Sequence, residues 1–252
     1  MSDQKAKAYI NMNGALRAME YLCELDSEAK AFIKEFNIVI QFSVKNGPAA
    51  RLIFKDGRCV FERGKGKSNI KLYFPSPGHF NKMMDGKANP VILKGFTKIG
   101  FLTKNFTYLS KRLEYFLKPA GESMNQPVYK EINTILTFLT AFNSLAEIGM
   151  HDPIGQEIMR HDRKGVFCAS IAGTGYSVKL KMSKGQIAPV GSSEGAPEMH
   201  LDFKDIDKAN DLLNGKSDFI SAIGFGDVKI SGYMPLMQSV ELLVPRVAMY
   251  LK

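Results

Sequence analysis

Strict alternation of apolar and polar positions marks the strands of this chain. Phe36, Ile38, Ile40, Phe42 and Val44 alternate with other residues, the pattern of a half-buried strand. Asn46-Gly47-Pro48 turns the chain. Arg51–Phe54 and Arg58–Glu62 then flank Asp56-Gly57, a two-residue hairpin signal. Asn69–Phe74 alternates again. Before the strands the period is helical. Tyr9, Met12, Leu16, Met19, Leu22 and Cys23 recur every three or four residues and line one face of an opening helix. Asp26-Ser27 caps a second short helix that runs to Glu35. After the strands, Ser76-Pro77 places a cap residue before a proline in the first turn, and Gly86 ends that helix. The pattern then predicts a short helix over Pro90–Leu93 and a strand near Lys98–Leu102. A closing amphipathic helix follows from Phe106 to Leu117, with Phe106, Leu109, Leu113, Phe116 and Leu117 on one side.

The second half replays this order. Leu72-Tyr-Phe74, Phe80–Lys87 and Gly95-Phe96 match Leu201-Asp-Phe203, Ala209–Lys216 and Gly224-Phe225 at a constant offset of 129. Such self-similarity names the structural unit before any motif does. A helix over Ile132–Ile148 precedes Asp152-Pro153 and a second short helix. Strands are expected from Val166, over Tyr176–Met182 with a turn at Ser183-Lys-Gly185, over Met199–Phe203 and over Asp227–Ser231. Asp205 caps a helix ending at Asn214-Gly215. A final helix covers Leu236–Leu251, bent or interrupted near Pro245. The expected architecture is α+β: two tandem domains over 1–118 and 127–252, joined by a linker at 119–126. Each is a curved, mainly antiparallel sheet covered by helices.

Composition narrows the classes. Hydrophobic residues make up 45% of the 252, enough for two cores. Tryptophan is absent while Phe (17) and Met (13) are plentiful; Met adapts to irregular contents, which suits a core or an apolar pocket. The N-terminal Met-Ser-Asp-Gln-Lys-Ala-Lys shows no apolar signal region, and Ile132–Met150 is too polar for a convincing membrane span. Cys23, Cys59 and Cys168 are scattered without a C-x-x-C pair. These features predict a reduced, cytoplasmic protein. Charge is lopsided: residues 1–126 hold 21 of the 34 Lys and Arg against 11 of the 25 Asp and Glu. The excess gathers at Arg58, Arg63, Lys65, Lys67 and Lys71, a cluster suited to an anionic surface or to plain solvation.

The segment Phe203-Lys-Asp-Ile-Asp-Lys-Ala-Asn-Asp-Leu-Leu-Asn-Gly-Lys216, followed by Asp227-Val-Lys-Ile-Ser-Gly232 and a Met-containing helix, resembles the sterol carrier protein type two family. The first copy shows the pattern at Phe74, Phe80–Lys87 and Lys98-Ile-Gly100, with Thr103 where the glycine after the last strand stands. The resemblance covers about 36–118 and 165–252. It implies an apolar tunnel between sheet and helices that holds a fatty acid, fatty acyl-CoA or sterol-like lipid, with no catalytic residue and no cofactor. On that basis the expected lipid-contacting residues are Phe96, Phe106, Leu109 and Leu113 in one copy. Phe225, Ile230, Met234, Leu236, Met237, Leu243 and Val247 are their counterparts in the other. Arg58, Arg63, Lys65 and Lys67 are expected to meet anionic headgroups through peripheral membrane contact. The rival reading is a protein-interaction scaffold whose cavities are filled by side chains.

Four other motifs carry less. Gly191-Ser-Ser-Glu-Gly195 spells a nucleophile elbow around Ser193, but a strand follows where the mechanism needs a helix. Gly64-Lys-Gly-Lys-Ser68 has Phe61 where a phosphate loop needs its first glycine. His151-Asp152 and His161-Asp162 are ten apart and would not share a helix face, which argues against a metal site. Gly173-Thr-Gly175 is too short for a dinucleotide fingerprint. The basic cluster lacks the exposed interleaved aromatics of a nucleic-acid surface, so no nucleic acid is expected.

Overall fold

Each unit opens on helices, and its strands follow them. The computed structural model describes residues 3–119, 121–160, 164–191 and 195–251, and the chain divides into two compact units, 1–120 and 121–252. In the first, Asp3 caps α1 (Gln4–Ile10) by accepting from Lys5 and Ala6 N–H. The chain winds wider over Asn11–Leu16 as a π-helical stretch before α2 (Ala18–Leu25). Asp26 then caps the short α3 (Ser27–Phe32). Four strands follow: β1 (Ile38–Val44), β2 (Ala49–Lys55), β3 (Arg58–Arg63) and β4 (Ile70–Phe74). Helix α4 (Pro77–Met84), strand β5 (Val91–Lys94) and α5 (Thr107–Leu117) complete it.

The second unit repeats the plan with α6 (Pro127–His151), α7 (Pro153–Arg160), β6 (Gly165–Ile171), β7 (Ser177–Ser183), β8 (Gln186–Val190) and β9 (Met199–Phe203). It ends with α8 (Ile206–Leu213), α9 (Phe219–Gly224), β10 (Val228–Gly232) and α10 (Met234–Leu251). The five-stranded sheets have the orders β3-β2-β1-β4-β5 and β8-β7-β6-β9-β10. The central pair of each is parallel and the others antiparallel. The architecture is therefore α+β, two mixed sheets each with its own helices.

Alternation decides which face is covered. Ile38, Ile40, Phe42, Leu52, Phe54, Cys59, Phe61, Ile70, Leu72 and Phe74 are all buried and pack toward the helices. Burying a large apolar side chain contributes about 1.5–3 kcal/mol, so this face dominates stability. The hairpin turns at Asp56-Gly57 and Lys184-Gly185 have positive φ at both residues, as a two-residue turn of this hand requires.

Helices α4 and α8 are equivalent in detail. Ser76 and Asp205 cap them, and both end with glycine in the left-handed region, Gly86 at φ 71° and Gly215 at φ 70°. The next N–H closes back on the helix, Lys87 to Lys82 O and Lys216 to Asp211 O, each at 2.7 Å. Each helix also docks to the opening helix through a buried asparagine. Asn81 Nδ2 donates to Gln4 O and Oε1 at 2.9 Å, and Asn210 Nδ2 to Asn133 Oδ1 (3.1 Å) and Thr134 Oγ1 (2.7 Å).

After these helices the repeat breaks register. The segment expected as a helix at Pro90–Leu93 is strand β5, and the strand expected at Lys98–Leu102 is helical, a 3₁₀ turn at Phe96–Lys98 followed by π-helical Phe101–Phe106 leading into α5. The cause is a length difference, because the second unit carries α9 between its capped helix and its last strand and the first has no counterpart. Gly95 is thus equivalent to Gly232, not Gly224. Both end the edge strand at positive φ, 90° and 109°. Both lie so close to the neighbouring strand that an added Cβ would meet Asn69 O at 2.8 Å in one unit and Glu198 O at 2.1 Å in the other. The glycine expected to be lost at Thr103 is therefore kept, at Gly95. The final helix runs unbroken through Pro245.

Candidate functional site

The layer between each sheet and its last helix holds most of the residues expected to touch lipid. Leu109 is fully buried on α5, Leu113 is buried beside it, and Phe106 is half-buried with its ring 6.0 Å from Phe42. Leu236, Met237, Leu243 and Val247 are buried along one face of α10, and Ile230 is half-buried on β10. Three expected residues stand outside this layer: Phe96 is 64% exposed, Phe225 81% and Met234 51%. Phe96 and Phe225 were paired by the repeat offset that breaks after Lys87. Phe96 follows Gly95 and corresponds to Tyr233, whereas Phe225 follows the inserted α9.

The two layers are filled differently. The ladders align the units, since Phe42 pairs with Leu72 as Ala169 does with Leu201, and Ile38 with Phe54 as Gly165 with Met182. In the first unit Phe54, Phe36 and Phe101 stack edge to face, with centroids at 5.0 to 6.3 Å, and Phe32 joins them to Tyr108. In the second, the positions of Phe42 and Phe54 are Ala169 and Met182. Matching Arg112 with Arg246 on the last helices places Val240 where the first unit has Phe106, whereas Phe101 lies in the π-helical stretch that makes the first unit longer here and has no single counterpart. The second unit has its own ring cluster on the same face of its sheet, where Phe138 and Phe142 of α6 meet Phe203 and Phe167.

One contact ties the last helix of each unit to the residue that begins its short helix, α3 in the first unit and α7 in the second. Asp26, 3% exposed, caps α3 through Ala29 N–H and accepts from Arg112 of α5, Nη2 to Oδ1 at 2.7 Å and Nε to Oδ2. Arg112 Nη1 also lies 2.6 Å from Glu28. Asp152, with no exposed surface, accepts from Gly155 N–H at 2.8 Å and pairs with Arg246 of α10, Nη2 at 2.6 Å and Nε at 2.5 Å. Tyr250 Oη donates to the same carboxylate at 2.6 Å. Each guanidinium lies over the ring four residues on, Phe116 at 5.6 Å and Tyr250 at 5.9 Å. Burial pushes both carboxyls up, but the arginine hydrogen bonds, the cap N–H and the arginine charge outweigh it. Both are held below the ordinary carboxylate value. Sequence reasoning missed this clamp, although its signal repeats: a capping Asp after the opening helix, and later Arg-x-x-x-aromatic on the closing one.

The basic cluster lies on the opposite, solvent-facing side of the first sheet. Arg58 alternates with the inward Cys59 and Phe61 and so points outward. Lys65 and Lys67 are exposed on a loop strapped over that face, where Gln41, 1% exposed, accepts Gly66 N–H at 3.0 Å and donates to Ala50 O and Gly64 O. Arg51 reaches Lys67 O and pairs with Glu62. Arg63 is exposed at the strand end. An open cleft of about 450 Å³ on this face is lined by Ile53, Lys55, Asp56, Arg58, Val60 and Glu62.

The remaining motifs have ordinary settings. Gly64–Ser68 is that strap, and the G-x-S-x-G spelling falls in the corresponding loop of the second unit, with residues 192–194, including Ser193, outside the described residues. His161 and Asp162 also lie outside them. His151 Nε2 is 3.6 Å from the buried Glu147. Among the described residues no cluster of three metal-ligating side chains occurs, and no helix is long and apolar enough to cross a membrane. Gly173 and Gly175 form a positive-φ turn between β6 and β7. The three cysteines are buried and free, and the neighbouring Cys23 together with burial pushes the Cys59 thiol well up.

No family model and no curated protein matches the chain. Several solved structures do. A structure described as "UbiJ-SCP2 Ubiquinone synthesis protein" matches 43% of this chain and 96% of its own, with 15% identity and TM-score 0.33. The sterol carrier protein domain 2 of Helicoverpa armigera matches 45% and 89%, with 18% identity and TM-score 0.33. Palmitated SCP2L2 of Aedes aegypti matches 45% and 94%, with 16% identity and TM-score 0.31. The solved structures named as similar to this chain are sterol carrier protein domains, each matched over less than half of the 252 residues.

Proposed function

We propose that this chain is a tandem, non-enzymatic lipid-binding protein in which the second unit holds the lipid and the first serves mainly for docking. The ligand is a single-chain lipid, a long-chain fatty acid or its acyl-CoA. The observation that carries this reading is the exchange of side chains between sheet and closing helix. Where the first unit packs Phe42, Phe54 and Phe106, the second has Ala169, Met182 and Val240. The second layer presents short or adaptable groups to whatever lies beside α10, and Met suits variable apolar contents. The first layer is filled by its own rings, as the scaffold reading requires, so that reading is kept for the first unit alone.

Binding is partition. Each methylene buried contributes about 0.8 kcal/mol, offset by the cost of parting α10 from the sheet. The first unit contributes its basic outer face. Arg58, Lys65 and Lys67 would each add about 1 kcal/mol near an anionic bilayer. That face is turned away from the closing-helix layer of the same unit, so these residues serve docking rather than the headgroup of a lipid held there.

The test is titration of the full chain with a fluorescent C16 fatty acid, compared with Val240→Phe and Phe106→Val. One site per chain, lost in Val240→Phe and kept in Phe106→Val, supports the reading. No uptake by the native chain, or uptake unaffected by Val240→Phe, would overturn it.

A further inference from the structure

Each closing helix is held unequally along its length. Its C-terminal half carries the arginine that grips a buried aspartate in two-point geometry, Arg112 to Asp26 and Arg246 to Asp152. Apolar packing is non-directional, whereas a planar guanidinium on a carboxylate fixes both position and register. In the second unit Tyr250 Oη also donates to the same carboxylate, at 2.6 Å. The aspartate is itself fixed, since its other role is to cap the following short helix.

The N-terminal end of α10 carries no charged side chain over 233–240 and is held instead by Tyr233 N–H donating to Glu198 O at 2.7 Å and by the buried Leu236 and Met237. In the second unit it begins at Tyr233 and Met234, 43% and 51% exposed, just after the positive-φ Gly232. In the first, the equivalent Phe96 is 64% exposed, and the helix starts as a π-helical stretch with Thr103 and Lys104 exposed. Widened turns of this kind are rare, and where they occur they are frequently at functional sites. Both units therefore put an exposed aromatic immediately after the glycine and a buried ion pair at the far end.

We infer that the Asp152–Arg246 pair is a fixed pivot for α10, and that the helix opens at its other end, where Tyr233 and Met234 form the rim that admits the lipid chain. The pivot rests on geometry alone; the rim rests on the lipid-binding reading above. Arg246 and Asp152 are positioning residues, and they keep the rim opening from becoming detachment of the whole helix.

Hydrogen exchange of the lipid-free full chain tests the pivot without any ligand. Backbone amides of 238–241, past the first turn, should exchange at least tenfold faster than those of 246–251. Asp152→Asn should raise exchange in 246–251 about tenfold or more and leave 238–241 nearly unchanged. Tyr250→Phe, which keeps the ion pair, should give an intermediate rise and covers the case in which Asp152→Asn does not fold. Equal exchange along the helix, or no response to either variant, would overturn the pivot. Met234→Glu with Tyr233→Glu tests the rim, and the association rate of the fluorescent C16 fatty acid should fall about tenfold with exchange in 246–251 unchanged. An unaltered rate would overturn the rim. Failure of the native chain to bind at all would remove the lipid-binding reading and the rim with it, while the exchange result would still decide the pivot.

Discussion

Gly232→Ala should be among the most damaging single substitutions in the second unit. Its φ of 109° lies where L residues are rarely found, and an added Cβ would sit 2.1 Å from Glu198 O and 3.1 Å from Met199 Cα. Those neighbours are backbone of the adjoining strand, so relief requires β9 and β10 to part by about 1 Å. The conformational cost is about 1–2 kcal/mol and the overpacking about 1–3 kcal/mol, giving roughly 2–5 kcal/mol together. Gly226→Ala is the control, with φ 73° and nothing within 4 Å of the added atom. It bears the conformational cost alone, about 1 kcal/mol after the gain from a less flexible unfolded chain. Gly95→Ala, at 2.8 Å from Asn69 O, should fall between them in the first unit, whereas Gly224→Ala, exposed at the end of α9 with open space around it, should be neutral or slightly stabilising. The assay is urea denaturation of the full chain followed by circular dichroism and fitted as two unit transitions. With a slope of about 2 kcal/mol/M, Gly232→Ala should lower the second unit's midpoint by roughly 1–2.5 M. A loss no larger than that of Gly226→Ala would refute the close approach. Equal losses for Gly95→Ala and Gly224→Ala would refute the equivalence of Gly95 with Gly232.

Two further predictions follow from charge. Asp26 and Asp152 are held below their unfolded values, so the stability they contribute is present above about pH 4 and is lost as pH falls through the lowered values. Acid titration of Arg246→Met and Arg112→Met, which lack that depression, should show a shallower fall in stability below pH 4 than the native chain, and parallel curves would count against the clamp. Lys65→Glu with Lys67→Glu should weaken co-sedimentation with vesicles containing phosphatidylserine by tenfold or more, with fatty-acid uptake unchanged. Equal binding of native and variant chains would remove the docking role.

Much of the fold could be read from local pattern. Alternation through Ile38–Val44 and Met199–Phe203 marked strands because one face of each sheet is buried. Asp56-Gly57, Ser76-Pro77 and Asp205 marked turns and caps because those residues satisfy the backbone locally. Strand β5 was illegible for the opposite reason. Val91-Ile-Leu-Lys94 is a short apolar run between a proline and a glycine, and its pairing with β4 is what makes it a strand. The missing α9 of the first unit then shifted every later correspondence, which put Phe225 among the lipid contacts and Gly224 in the place of Gly232. The buried face of α10 was legible, since Leu236, Met237, Leu243 and Val247 follow the helical period. The clamp was not, because Asp26–Arg112 and Asp152–Arg246 join residues 86 and 94 positions apart. The outward aim of the basic cluster was available from the parity of Arg58 against Cys59 and Phe61, but the strap over Gln41 depends on a tertiary contact.

Native mass spectrometry of the purified full chain, with organic extraction of whatever is released, tests lipid binding most directly. The account predicts one fatty acid or acyl-CoA per chain, located in the second unit by its loss in Val240→Phe. A chain that flies without bound lipid and takes up no added C16 fatty acid would contradict it and leave two filled domains acting as a scaffold.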